Sequence, residues 1–430
     1  MAHWFRWHSW IGLTAGLLLF VICWSGTVAV FSREIDWLLN PVLRVRPQAS
    51  RASWGEILAA VERAYPQGKV SSLHAPLGPR FAAEASVEAR GQTLRVYVDP
   101  YTAQVRGETS YFNVQRFFRS FHMNLFFPRT LGYYVVCAFS FALIASMATA
   151  LLFYHHWWRR FFVLKIGRGP RVFWSDLHKA SGLWSIWFCI IIAVTGLWYL
   201  IEIFGYDWIS PQFSSKPAPA LSAAEKAAWM GKPPLPLDDL VAHAQRARPE
   251  LTIQTVSLPD GEANDLIYFD GQGDDLLVRN RANKLYLNLH TGDVVASQDA
   301  GDLSLYWRWV DMADPLHFGD FGGLISKSVW FLFGILLSGL SLTGAYLQVQ
   351  RQQRRGQDGY RPAIIATYTV SILVLLTAAV GAWREIRDYG PIETEGRHVW
   401  PEVSLAVVAF IAVWLASMLA ALALWVRKLR

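Results

Sequence analysis

The sequence predicts a mainly α-helical polytopic membrane protein with six transmembrane helices, the first four forming two parallel pseudo-symmetric repeats, and two small α+β modules outside the bilayer. Three observations carry that expectation. Six runs of more than twenty residues lack Asp, Glu, Lys and Arg, a His-x-x-x-Gly motif recurs at the start of the first and third helices they mark, and two long segments between runs alternate like small soluble folds. The composition agrees, with 53% apolar residues, 17% charged residues and 21 Trp in a chain of 430. A net charge of +7 is too modest to argue for nucleic acid. Cys23, Cys137 and Cys189 fall inside apolar runs without a CxxC or CxxCH spacing, which argues against disulfides, zinc knuckles and covalently attached haem.

The charge-free runs are residues 7–32, 130–154, 180–201, 328–350, 362–383 and 403–426. A bilayer core of roughly 30 Å needs about 20 helical residues, so each can span. The first is longer than a signal-peptide core and has no small-x-small exit, so it reads as an uncleaved helix, 1–32. Residues 33–127 form the first outer module and 128–154 the second helix. A basic loop, 155–173, leads to the third helix, 174–204, and the second module follows at 205–318. Helix four is 319–350, a short loop 351–361 leads to helix five, 362–383, and the link 384–402 to helix six, 403–426, with a tail at 427–430. Arg159, Arg160, Lys165, Arg168 and Arg171 in one short loop, and Arg351, Arg354, Arg355 and Arg361 in another, place those loops and both termini in the cytoplasm. The modules then face outward, in what would be the bacterial periplasm of an inner-membrane protein.

Two stretches align without gaps. His8-x-x-x-Gly12 with Ser25-Gly26 matches His178-x-x-x-Gly182 with Thr195-Gly196, and Phe121-His122 and Leu316-His317 each precede the next helix. Both modules read as a helix followed by strands: residues 54–65 are helical before strands near 70–73, 81–88 and 94–107, and 237–247 are helical before a hairpin at 284–295. Residues 211–226, rich in Pro, Ala and Ser, read as a linker.

These features together, a Trp-His-x-x-x-Gly helix start, a Tyr97-Val-Asp-Pro-Tyr-Thr hairpin and Leu316-His-Phe-Gly before the fourth helix, resemble the PepSY-associated transmembrane family. The resemblance covers roughly residues 1–350, and it implies PepSY-like modules. The family includes bacterial ferric-siderophore reductases and iron-uptake membrane proteins with haem in the helix bundle. Under that resemblance a parallel repeat sets His8 with His178 at the cytoplasmic depth and His122 with His317 at the outer depth, two pairs suited to two non-covalent b-type haems as axial iron ligands. His155 and His156 have no counterpart in the repeat, and one of them is a further candidate ligand or propionate contact. Arg6, Arg116, Arg119, Arg129, Arg159 and Lys179 lie close in sequence to these histidines and are candidates to pair with propionates. His74, His243, His290 and His398 read as residues of the outer segments. The segment from Tyr306 to His317, with Arg308, Asp311 and Asp314, could dock a chelate or simply rest on the membrane.

No glycine-rich dinucleotide fingerprint or P-loop is present, so no flavin or NAD domain is evident. The expected function is an electron-transfer enzyme reducing a periplasmic ferric siderophore, supplied by quinol or a separate cytoplasmic reductase. A transporter component whose histidines contact substrate or relay protons, and a module-based sensor or inhibitor of a periplasmic partner, are the alternatives. No particular catalytic residue, siderophore or oligomeric state follows from the sequence.

Overall fold

The computed structural model describes residues 2–163, 165, 168–213, 216–219, 221–222, 232–259, 265–275, 277–356, 361–388, 392–394, 397–399 and 403–429. The chain is mostly helical. Among the described residues five helices are long and apolar enough to cross a membrane, or six when one bent pair counts as a single span.

That bent pair is the first span. α1 (Ala2–Thr14) and α2 (Gly16–Ala29) meet at an angle of 64° instead of forming the one run that the uninterrupted apolar sequence predicts. Gly16 explains the position of the bend, because a Cβ there would lie 3.1 Å from the carbonyl oxygen of Ser341. A short helix, α3 (Ser32–Leu39), follows, then α4 (Trp54–Ala64), whose start carries a capping box between Ser53 and Glu56. Strands β1 (Lys69–His74), β2 (Ala83–Ala89), β3 (Gln92–Val98) and β4 (Val105–Ser110) complete the first extramembrane segment.

α5 (Val114–Asn124) ends in a left-handed Leu125 and turns into the second long helix, α6 (Arg129–Phe153). The third span is also divided, into α7 (Pro170–Trp184) and α8 (Ile186–Trp208), at the fully buried Ser185. Ser185 follows Ala15, the break in the first span, by the same number of residues as His178 follows His8. Within the expected linker, residues 211–226, Pro211–Phe213 form a single 3-10 turn, and residues 214, 215, 220 and 223–226 lie outside the described residues. α9 (Leu237–Ala247) and strands β5 (Thr252–Ser257), β6 (Leu266–Gln272), β7 (Lys284–Asn288) and β8 (Val294–Gln298) follow. α10 (Leu305–Phe318) then leads to α11 (Gly323–Gln353), α12 (Arg361–Asp388) and, after a short hairpin of β9 (Ile392–Thr394) and β10 (Arg397–Val399), α13 (Leu405–Leu429). Gly319 at the end of α10 must be glycine: its φ is +68°, and a Cβ would sit 2.2 Å from the Trp330 ring.

The two extramembrane segments do not stand apart as the sequence suggests. Their strands form one antiparallel sheet of eight, ordered β4-β3-β2-β1-β5-β6-β7-β8, with β1 and β5 joined through Ser72–Ser257, Leu73–Val256 and His74–Thr255. The join escapes sequence reading because β1 and β5 each read as an edge strand of their own segment. Side chains alternate across the sheet. Leu73, Val96, Val256, Phe269 and Leu285 are buried beneath α4 and α9, each worth about 1.5–3 kcal/mol if fully buried. The helices are tied as well, for Asp238 of α9 accepts bonds from Ser53 Oγ (2.7 Å) and the Gly55 amide (2.8 Å) at the start of α4. The other face is polar, carrying Ser72, His74, Glu84, Arg95 and Tyr97 in register.

α12 and α13 pack on the first half of the bundle. Trp414 meets Phe118, Phe121 and Phe117 edge-on at centroid distances of 4.8, 5.5 and 6.0 Å, and Glu385 accepts from Arg116 Nε (2.6 Å) and Ser120 Oγ (2.8 Å).

Candidate functional site

The histidines singled out in the sequence sit on five elements, and four of them meet in pairs. His8 of α1 lies beside His178 of α7 with ring centroids 6.5 Å apart and planes at 71°. His122 of α5 lies beside His317 of α10 at 6.0 Å and 38°. Each of the four residues is half-buried.

All four rings are held the same way. Nδ1 of His8 bonds the Ser146 carbonyl of α6 (2.9 Å), and Nδ1 of His122 bonds the Ile22 carbonyl of α2 (2.9 Å). Nδ1 of His178 meets Thr343 Oγ1 of α11 (2.8 Å), and Nδ1 of His317 meets Thr195 Oγ1 of α8 (2.8 Å). A carbonyl only accepts. The two threonine hydroxyls donate their own protons to carbonyls one turn back, Gly339 (2.8 Å) and Ile191 (2.7 Å), so they too accept from the histidine. Every Nδ1 therefore carries the proton and every Nε2 keeps its lone pair, the arrangement of a neutral imidazole ready to bind a metal.

Glycines make the room. A Cβ on Gly26 would fall 2.6 Å from His122 Cε1, and one on Gly344 3.1 Å from His178 Cε1. Gly12 and Gly182, one turn beyond His8 and His178, have a different surrounding: nothing lies within 4 Å of a Cβ on Gly12, and only Leu340 at 3.8 Å on Gly182. Helix packing does not require those two glycines, and the space beside them is open.

Among the described residues no group of three or more His, Cys, Asp and Glu could hold a bare metal ion. Haem needs only two protein donors. Two imidazoles each about 2 Å from one central iron have centroids about 6 Å apart, which is the spacing of both pairs. The donor set, its fixed tautomer and the open glycine faces fit that group.

His155 and His156 are not brought to either pair. They lie exposed in the turn after α6, where His156 has a left-handed backbone and packs edge-on to Trp158 at 5.3 Å. Of the basic residues considered for propionates, Arg116 is taken by Glu385 and Lys179 by Asp176 (3.1 Å). Arg6 and Arg159 are exposed, the Arg129 side chain lies outside the described residues, and Arg119 is exposed without a partner among the described residues.

The acidic side chains before His317 are internally paired. Arg308 bonds Asp275, Arg281 bonds Asp311 (2.6 Å), and Arg279 bonds Asp320 (2.8 Å) and approaches Asp314 (3.4 Å). Burial raises Asp311 above the ordinary carboxylate range in spite of Arg281, whereas Arg279 and Arg281 together overrule burial at Asp314 and hold it below that range. Tyr199, one aromatic among many in its span and so not singled out by pattern, packs edge-on to His317 at 5.2 Å and donates to Asp314 (2.8 Å). The anchoring Ser146 carbonyl and Thr343 are also missed: the only signal of Thr343 is a hydroxyl in an otherwise apolar span, which fits a helix back-bond equally well, and a backbone carbonyl carries no side-chain signal.

No curated protein matches the chain at a significant level. A profile for the PepSY-associated TM region does match, over residues 5–351, taking in all four paired histidines and both halves of the sheet. A match over most of the chain assigns the protein to the PepSY-associated transmembrane family.

Proposed function

We propose that the protein is a b-type cytochrome of the inner membrane, an oxidoreductase that passes electrons outward and reduces a ferric siderophore on the side of the sheet. The observation that carries this reading is the matched anchoring of the two histidine pairs, 6.5 and 6.0 Å between centroids, with Nδ1 engaged in all four rings. His8 and His178 would hold one haem b, His122 and His317 the other. Haem iron between two neutral imidazoles supplies one-electron transfer without an open coordination position. The chain's own residues do the rest. Ser146, Ile22, Thr343 and Thr195 fix ring orientation, Gly12 and Gly182 leave flat space beside the inner pair, and the apolar spans exclude water.

The halves are read as a parallel repeat about an axis along the membrane normal, supported by the equal offset of the helix breaks and by the mirrored strand order. The basic loops support cytoplasmic termini and a periplasmic sheet. Electrons would come from quinol or a cytoplasmic reductase. One electron converts bound Fe3+ to Fe2+, which hard oxygen donors hold far less tightly, so iron leaves an otherwise intact chelate.

The test is a dithionite-reduced minus oxidised spectrum of purified protein, with haem counted by pyridine haemochrome. About two b-type haems per chain, reoxidised by ferric siderophore, is the expected result. Protein that carries no haem after expression in haem-replete cells would sink the proposal.

A further inference from the structure

The segment that follows α3 lies against β4, the strand at one edge of the sheet. Residues 41–43 form a short 3-10 turn and Arg44 bridges Phe81, while a Cβ on Gly107 of β4 would lie 3.3 Å from Val42 Cγ1. Between this segment, the β3–β4 turn and β4 itself is a groove of about 610 Å³. Arg44 and Arg46 line it from the segment, and Thr102, Gln104 and Arg106 from the hairpin. All three arginines are exposed, and Arg106 Nη2 reaches the Arg44 carbonyl at 3.5 Å, where the two walls meet.

Asp99 is the one acid among the described residues of the lining, so the groove has a net positive charge. Its Oδ1 accepts from the Tyr101 amide (2.9 Å), a bond of the turn. None of the three arginines has an ion pair among the described residues. Elsewhere the sheet pairs its arginines: Arg90 with Glu108, Arg95 with Glu84 (2.9 Å), and Arg248 with Glu250 (2.7 Å). Glu108, two residues beyond Arg106, is committed to Arg90 and Tyr65. The second half shows that the hairpin does not require these cations. There Leu287 faces Val294 as Val98 faces Val105, and the ladder shifts at the same step. Asn288 stands for Asp99 and accepts from the His290 amide (2.7 Å), but Asp293 and Val295 stand where the first half has Gln104 and Arg106. The same turn thus forms without a basic wall.

We infer that this groove is a binding site for a phosphate group, held by Arg44, Arg46 and Arg106 with Thr102 and Gln104 as neutral partners. A tetrahedral phosphate presents oxygens in several directions and can take guanidinium forks from both walls at once, whereas a planar carboxylate offers one edge. The volume also leaves space for the remainder of a small phosphoester. Two sources carry this chemistry, a soluble phosphoester and the headgroup of an anionic phospholipid. The second is within reach because α3 follows the first span directly, Leu38 on it is exposed, and the Arg44 guanidinium lies 6.0 Å from the Trp37 ring centroid. The groove shares no residue with the histidine pairs, so a haem-free protein would remove the cytochrome reading and leave this site standing.

Full-length protein in maltoside is titrated calorimetrically with inorganic pyrophosphate at low salt, beside the double variants Arg46→Gln/Arg106→Gln and Arg46→Lys/Arg106→Lys. Both changes lie at exposed positions, and thermal midpoints equal to wild type check that the fold is kept. The expected result is saturable binding by wild type that is about tenfold or more weaker in the glutamine variant, less weakened in the lysine variant, and reduced by added salt. Glycerophosphoglycerol and dihexanoyl phosphatidylglycerol then separate the sources, with the glutamine variant correcting for partition into detergent. A lipid site binds the acylated form about tenfold or more tightly, and a soluble-ester site binds the two alike. No saturable pyrophosphate binding by wild type, equal binding by the glutamine variant, or citrate bound as tightly as pyrophosphate would overturn the phosphate site.

Discussion

Each of the four paired histidines has a close acceptor at Nδ1, within 2.8–2.9 Å, and two of those acceptors are threonine hydroxyls. Thr195→Val and Thr343→Val keep the shape and remove the acceptor. We expect each to weaken haem retention about tenfold at its own pair alone, since loss of such an outer partner typically costs 10–100-fold in metal affinity. Haem content and the reduced spectrum of each variant check this, and an unchanged spectrum in both would remove the anchoring role. His122→Ala and His317→Ala should each lose one of two haems and keep the fold. Gly26→Ala should act like a histidine variant, because its methyl would fall 2.6 Å from the His122 ring. The paired histidines were legible as residues because His8 and His178, and His122 and His317, recur at matching places in an ordered pattern.

At the scale of elements, α5 shows how a functional helix is held. Asn113 caps its start, Asp36 accepts from its first two amides, and Trp414 and Glu385 brace its outer side. Burial pushes the Asp36 carboxyl up to about 6, outweighing the two amide bonds that favour the charged form. A raised folded-state value means that the folded protein holds this proton more tightly than the unfolded chain, whose ordinary aspartate titrates near about 4. The stabilisation is therefore complete below pH of about 4 and is lost as pH rises through about 6. Asp36→Asn removes the titration, so the thermal midpoint of the wild type should fall relative to the variant between pH 4 and pH 7, by an amount corresponding to roughly 2–3 kcal/mol. Parallel midpoints across that range would refute it. The helix was only half legible: Phe121-His122 marked an element before the second span, but Asp36 is far away in sequence and nothing in its neighbours signals a cap.

For the whole molecule, periodicity sufficed for the helices, strands and spans taken one at a time, because each follows from a local pattern of apolar residues. What it did not reveal is contact between distant segments: the bend at Gly16, set by the Ser341 carbonyl, and the β1–β5 join that makes eight strands one sheet. Phe269, central to that sheet and fully buried, should be costly to truncate. Phe269→Ala is expected to lower stability by about 3–5 kcal/mol, read as a fall in the thermal midpoint, while leaving the histidine pairs their ligands.

The shared sheet also limits how the molecule can move. Alternating access in many repeat-built carriers is a rocking of one half against the other about a central site. Here such a swing would shear the backbone ladder of Ser72, Leu73 and His74 against Ser257, Val256 and Thr255, and would pull Asp238 from the start of α4. A body stitched across its own midline in this way keeps its two halves at a fixed spacing, which the proposed electron transfer would use and passage of a bulky solute would not.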